Sequence, residues 1–104
     1  MPGINLAVVR QGVRMAEVLR RLEFQPTSAC GPQLRGPCPV HRSPRPGSRS
    51  FAVHLERGCY RCFRCGSQGN VLDLWAAVHG LSLPAAAENL CVTMGLEIPW
   101  ITRW

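Results

Sequence analysis

Apolar side chains recur near the start of the chain with helical spacing. Met15, Val18, Leu19 and Leu22 stand at i, i+3, i+4 and i+7, and Arg14, Glu17, Arg20, Arg21 and Glu23 take the other faces. This predicts a helical segment over residues 4–24, either continuous or broken into two short helices at Gly12. From Gln25 to Ser50 the periodicity disappears, and proline, glycine, serine and arginine make the stretch read as irregular. Phe51, Val53 and Leu55 then alternate with Ala52, His54 and Glu56, and Arg57-Gly58 supplies a turn, so residues 51–65 read as a β-hairpin. Helical signals return at Asn70, a capping residue with Asp73 in the favourable first turn and Gly80 as a stop. A second helix starts at Ser82, tolerates Pro84 in its first turn and stops at Gly95. The expected fold is therefore α+β: an N-terminal helical segment, a ribbon over 30–66 with a short antiparallel sheet, two C-terminal helices over 70–95 and a tail over 96–104. No internal repeat is visible.

At 104 residues the expectation is one domain spanning 1–104. A chain this short buries little surface, so a metal would help it fold. The formal net charge is +6, and all twelve basic residues are arginine. GC-rich coding accounts for the missing lysine, but not for the excess of positive charge, which points to a polyanion. Arginine also suits bidentate phosphate contacts and stacking on bases. No secretory signal pattern is visible at the start, and no apolar run is long enough to cross a bilayer. The expected setting is the cytoplasm, with no membrane partner and no small-molecule substrate.

Six cysteines then change the picture. Cys38-Pro39-Val40-His41 and Cys62-Phe63-Arg64-Cys65 are two pairs with two residues inside each, the spacing that lets a tight turn present both side chains to one tetrahedral ion. Pro39 stiffens the first turn, and Gly66 comes directly after the second, where positive φ is commonly needed. Three thiolates and an imidazole favour zinc over an iron–sulfur cluster. Such a site is closed, with no position left for water, so the single zinc ion is structural rather than catalytic. Cys59-Tyr60-Arg61-Cys62 offers a competing pair. On a strand, however, Cys59 and Cys62 point to opposite faces, which leaves Cys59 out of the site. Cys91 falls on the apolar face of the last helix and is expected in the core. Cys30 has no near partner and stays unassigned.

These residues resemble a known family. Gly36-Pro37-Cys38-Pro39-Val40-His41, Ser50-Phe51-Ala52-Val53, Tyr60-Arg61-Cys62-Phe63-Arg64-Cys65-Gly66 and Gly69-Asn70-Val71 look like the zinc-binding domain of bacterial and phage DNA primases. The run from Gly80 to Leu90 and the segment Gly95-Leu96-Glu97-Ile98-Pro99 resemble the part of that family just beyond its metal site. The resemblance implies a zinc ribbon that binds single-stranded template DNA and helps to start primer synthesis. It places the four ligands on Cys38, His41, Cys62 and Cys65. The chain departs from the pattern in a longer loop between His41 and Ser50 and in Arg64, where the family usually has glycine. Its six acidic residues are scattered and form no cluster of the kind a polymerase domain uses to hold metal ions. The expectation is a recognition module without its own primer synthesis.

The candidate nucleic-acid contacts are Arg35, Arg42, Arg45, Arg49, Arg57, Arg61 and Arg64, with Tyr60 and Phe63 among them. Arginines can neutralise phosphates and exposed aromatics can stack on bases. Phe63, at the tip of a ligand turn, is expected to be exposed, and Phe51 to pack inward. Tyr60 can do either. The alternative function is a zinc-stabilised adaptor for a replication or mobile-element protein, using Trp100 and Trp104 as contact surface, with Trp75 in the core. His54 and His79 are isolated and suggest no catalysis.

Overall fold

The computed structural model describes residues 3–40 and 50–101. In chain order the elements are β1 (Gly3–Ile4), α1 (Leu6–Gly12), α2 (Met15–Arg21), β2 (Ser28–Cys30), β3 (Gln33–Gly36), β4 (Phe51–His54), β5 (Cys59–Cys62), β6 (Gln68–Gly69), α3 (Val71–His79), α4 (Leu83–Met94) and β7 (Trp100–Ile101). Strands β2 to β6 form one antiparallel sheet in sequence order, and β1 pairs with β7. The architecture is α+β.

The helical signal near the start resolves into two helices. Asn5 caps α1, its side chain accepting from the Val8 amide, and extended Val13 and Arg14 separate α1 from α2. The apolar stripe of α2 goes inward: Met15, Val18 and Leu19 are buried, and Leu22 packs beside them. Helix α3 opens with a capping box in which Asn70 accepts from the Asp73 amide and the Asp73 carboxylate accepts from the Asn70 amide. Gly80 and Gly95 close α3 and α4 in the left-handed conformation. Gly69 precedes the capping box at φ 146°, and a Cβ there would collide with the Asp73 side chain, so this approach of strand to helix requires glycine.

The sheet alternates between two faces. Phe51, Val53, Tyr60 and Cys62 are buried against the helices, whereas Ala52, His54, Cys59 and Arg61 face outward. Phe51 is central to the inner face, with its ring 5.2 Å from Phe24 and 5.6 Å from Tyr60, centroid to centroid. Such aromatic pairs add about 0.5–1.5 kcal/mol each beyond burial. Trp75 and Cys91 lie in the same core, and the Trp75 indole donates to Asn89 Oδ1 at 2.9 Å.

Two regions differ from the reading of the sequence. The stretch read as irregular contains β2 and β3, joined by a tight turn at Gly31-Pro32 with Gly31 at φ 58°. Its strands are short and carry Ser28, Gln33 and Arg35, so alternation is weak and the pairing is imposed by β4. The tail contains β7, which pairs with β1 across almost the whole sequence. Trp100 in β7 is half-exposed, while Trp104 lies outside the described residues. No described helix is long and apolar enough to cross a membrane.

Candidate metal centre and nucleic-acid face

The strand register gathers the cysteines at one end of the sheet. Gly36 pairs with Phe51 and Phe51 with Cys62, so Cys38, two residues past β3, comes to the same end as Cys62. The chain then turns sharply through Phe63, Arg64 and Cys65. The Gly66 amide donates to the Cys62 carbonyl at 3.1 Å, and the Phe63 amide donates to the Ser50 carbonyl at 2.8 Å. Gly66 supports this turn at φ 79°. Inside it, the Arg64 and Cys65 amides donate to Cys62 Sγ at 3.4 and 3.3 Å.

Burial pushes the Cys62 thiol up, but these amide dipoles and the neighbouring thiols outweigh it and leave its pKa below that of an ordinary thiol. Cys62 is thus predisposed to the thiolate form that a metal needs. Cys91, buried without such donors, is shifted the other way by desolvation.

The Sγ atoms of Cys38, Cys62 and Cys65 all lie within 4.8 Å of one another, with Cys38 and Cys65 3.9 Å apart. A tetrahedral zinc–sulfur site with bonds of about 2.3 Å has sulfur–sulfur edges of about 3.8 Å. The donor set and its spacing therefore fit structural zinc. His41 lies outside the described residues. Cys59 is on the outer face opposite His54, outside this cluster, and Cys30 is exposed on β2. A Cys59→Ser variant should keep one zinc per chain by elemental analysis and an unchanged melting temperature. Loss of zinc in that variant would place Cys59 among the ligands.

The predicted nucleic-acid residues divide into four groups. Arg35, Arg57, Arg61 and Phe63 line one groove of about 960 Å³ across the outer face of the sheet. Within it, the guanidinium carbons of Arg35 and Arg61 stand 5.0 and 5.2 Å from the centroid of the Phe63 ring, which is 59% exposed. Ala52 lies between Arg35 and Arg61 in the cross-strand register, and its small side chain leaves room for the two arginines to converge. Arg64 is exposed on the ligand turn, outside the groove lining. Arg42, Arg45 and Arg49 lie outside the described residues.

Tyr60 borders the same groove but is almost fully buried, which corrects its reading as an open surface contact. It is 4% exposed, stacks on Phe51 and shares a 2.7 Å hydrogen bond between its hydroxyl and that of Ser67. Strand alternation turns its ring into the core, where desolvation raises its pKa. Reading the sequence missed other groove residues, including Arg10, Gln33, His54 and Gln68. Alternation from Arg35 and Arg61 identifies Gln33 and His54 as neighbours on the same face. No local signal brings Arg10 there, because only the packing of α1 does so. His54 Nδ1 accepts the Arg57 amide at 3.1 Å and so fixes the turn from which Arg57 projects.

Residues 5–103 match the family model of the CHC2 zinc finger. A DNA primase of Geobacillus stearothermophilus is 28% identical over 98 residues, which cover 94% of this chain and 16% of that protein. The DNA primase of Escherichia coli K12 is 33% identical over 70 residues, covering 67% of this chain and 12% of that protein. Among solved structures, the zinc-binding and RNA polymerase domains of the Aquifex aeolicus primase superpose with a TM-score of 0.70 at 24% identity, over 89% of this chain and 22% of that one. The chain thus spans a small fraction of the length of each of these proteins.

Proposed function

The chain belongs to the CHC2 zinc-finger family, the zinc-binding domain of DNA primases, and from that premise we propose that it recognises single-stranded template DNA without making primers itself. One structural zinc ion organises it. We assign the ligands to Cys38, Cys62 and Cys65, which converge in the structure, and to His41, which the ligand spacing adds. When bound, the ion ties β3 to the β5 turn and supplies no open position for chemistry. Loading it lowers the net positive charge by only one, because three thiolates are offset by a divalent ion.

The observation that carries the DNA reading is the stack of Arg35 and Arg61 on exposed Phe63, on the outer face of the sheet beside the cysteine cluster. An exposed ring accepts a base on its face, and flanking guanidinium groups neutralise the adjoining phosphates. The protein partner in this reading is a replication or mobile-element protein.

Titration of zinc-loaded protein with single- and double-stranded oligonucleotides at several salt concentrations tests this. Single strands should bind more tightly. The log–log slope of affinity against salt should be about −0.7 for each phosphate contacted. Absence of single-strand binding at low salt would overturn the reading in favour of an adaptor using half-exposed Leu96 and Trp100 and exposed Val92.

A further inference from the structure

The groove over the sheet does not end at the ribbon. A second depression of about 530 Å³ runs between α1, the start of α2 and the β4–β5 turn, and is lined by Arg10, Arg14, Glu56 and Arg57 among others. The two depressions share Arg10, Arg57, Gly58 and Asn70. Arg57, on the turn fixed by His54, and Arg10, in the last turn of α1, therefore stand where one becomes the other. Arg14 lies beyond them at the N-cap of α2, where its side chain makes no capping hydrogen bond. All three arginines are exposed and join no ion pair among the described residues.

The acidic groups along this path are few. Asp73 lines the first groove, but its carboxylate is engaged by the Asn70 amide at 2.9 Å. Glu56 faces the second groove against three arginines, which leaves it net positive.

We propose that single-stranded DNA follows a continuous track from the Arg35–Phe63–Arg61 stack past Arg57 and Arg10 to Arg14, so that the N-terminal helices contact backbone phosphates beyond the ribbon. This rests on the DNA reading above and extends it. The track is electrostatic and indifferent to sequence, because it offers guanidinium groups and no second exposed aromatic. It makes affinity depend on strand length. A strand confined to the ribbon groove misses Arg14, whereas a longer one reaches it.

The test compares oligonucleotides of about 4 and about 16 nucleotides, the span of site sizes in compact single-strand-binding folds. Arg14→Gln should weaken binding of the long oligonucleotide by roughly five-fold near 0.1 M salt. It should flatten the salt slope by about 0.7, and leave the short oligonucleotide nearly unchanged. Arg21→Gln removes the same charge from a residue that lines neither depression and should change both oligonucleotides little. Zinc content and thermal unfolding of each variant establish that it is folded. An unchanged long-strand slope in the first variant overturns the track while leaving ribbon binding intact. Equal losses in both variants also overturn it, by showing a general charge effect. If wild-type protein binds neither oligonucleotide, the DNA reading fails with it.

Discussion

Cys62→Ser is expected to release the zinc and abolish the cooperative unfolding transition, leaving a chain that melts without a sigmoidal step. The residue connects three parts of the structure. It ends β5, accepts the amides of Arg64 and Cys65 on its sulfur, and closes the cluster with Cys38 and Cys65. It is also fully buried, and a serine hydroxyl there cannot replace the thiolate that the ion needs. Structural zinc sites supply about 10–16 kcal/mol at neutral pH in small finger peptides. That matches or exceeds the roughly 5–15 kcal/mol net stability of a typical domain, and the two short sheets and short helices here have little in reserve. A chelator should do the same to the unaltered protein. Because the ligands bind as thiolates, zinc affinity should fall as pH is lowered and protons compete for sulfur. Elemental analysis with circular dichroism melting checks the outcome. A zinc-free variant that melts at the parent temperature would show that the sheet and helices hold without the metal.

How far a feature is legible in the sequence depends on the distance over which it is set. Helix ends are legible because capping is local. Asn70 and Asp73 satisfy each other's amides within one turn, and Gly80 and Gly95 relieve the last turn by their own conformational freedom. The cysteine convergence is legible for a similar reason, since a two-residue spacing already fixes where the Cys62 and Cys65 side chains reach. The exclusion of Cys59 needs only alternation on β5. Strands β2, β3 and β7 are not legible. The residues of β2 and β3 have weak strand preference and β7 is only two residues long, and all three exist because β4 and β1 offer edges to pair with, which depends on the tertiary fold. Tyr60 is ambiguous until the inner face is known, because a phenol suits both a core with a hydroxyl partner and a surface. Here Ser67 supplies that partner. Arg10 escapes a sequence reading for the plainest reason: its place in the groove is set by how α1 packs, not by its neighbours in sequence.

Phe63→Ala is expected to weaken single-strand binding by about 1–3 kcal/mol, the usual loss when a stacking ring is removed, with little change in salt slope. The structural argument is that 59% exposure makes the ring too accessible for a core residue. Its surroundings are cationic, and guanidinium contacts at exposed rings contribute about 0.5–1 kcal/mol each, too little to explain the placement of a phenyl group on the surface. A base stacked on the ring would share it with Arg35 and Arg61, which would then be positioned against the flanking phosphates. Arg61→Ala should therefore act differently. It should flatten the salt slope by about 0.7 and weaken every sequence alike. The two effects should not add, because the ring orients the guanidinium group, so the double variant should lose less than the sum of the single ones. Phe63→Leu separates stacking from bulk: it keeps apolar contact with the arginine stems but offers no flat face, and should bind as poorly as the alanine variant. Melting temperature provides the opposing readout. If Phe63→Ala lowers the melting temperature while affinity and slope stay at parent values, the ring serves the fold and the stack is not a base platform.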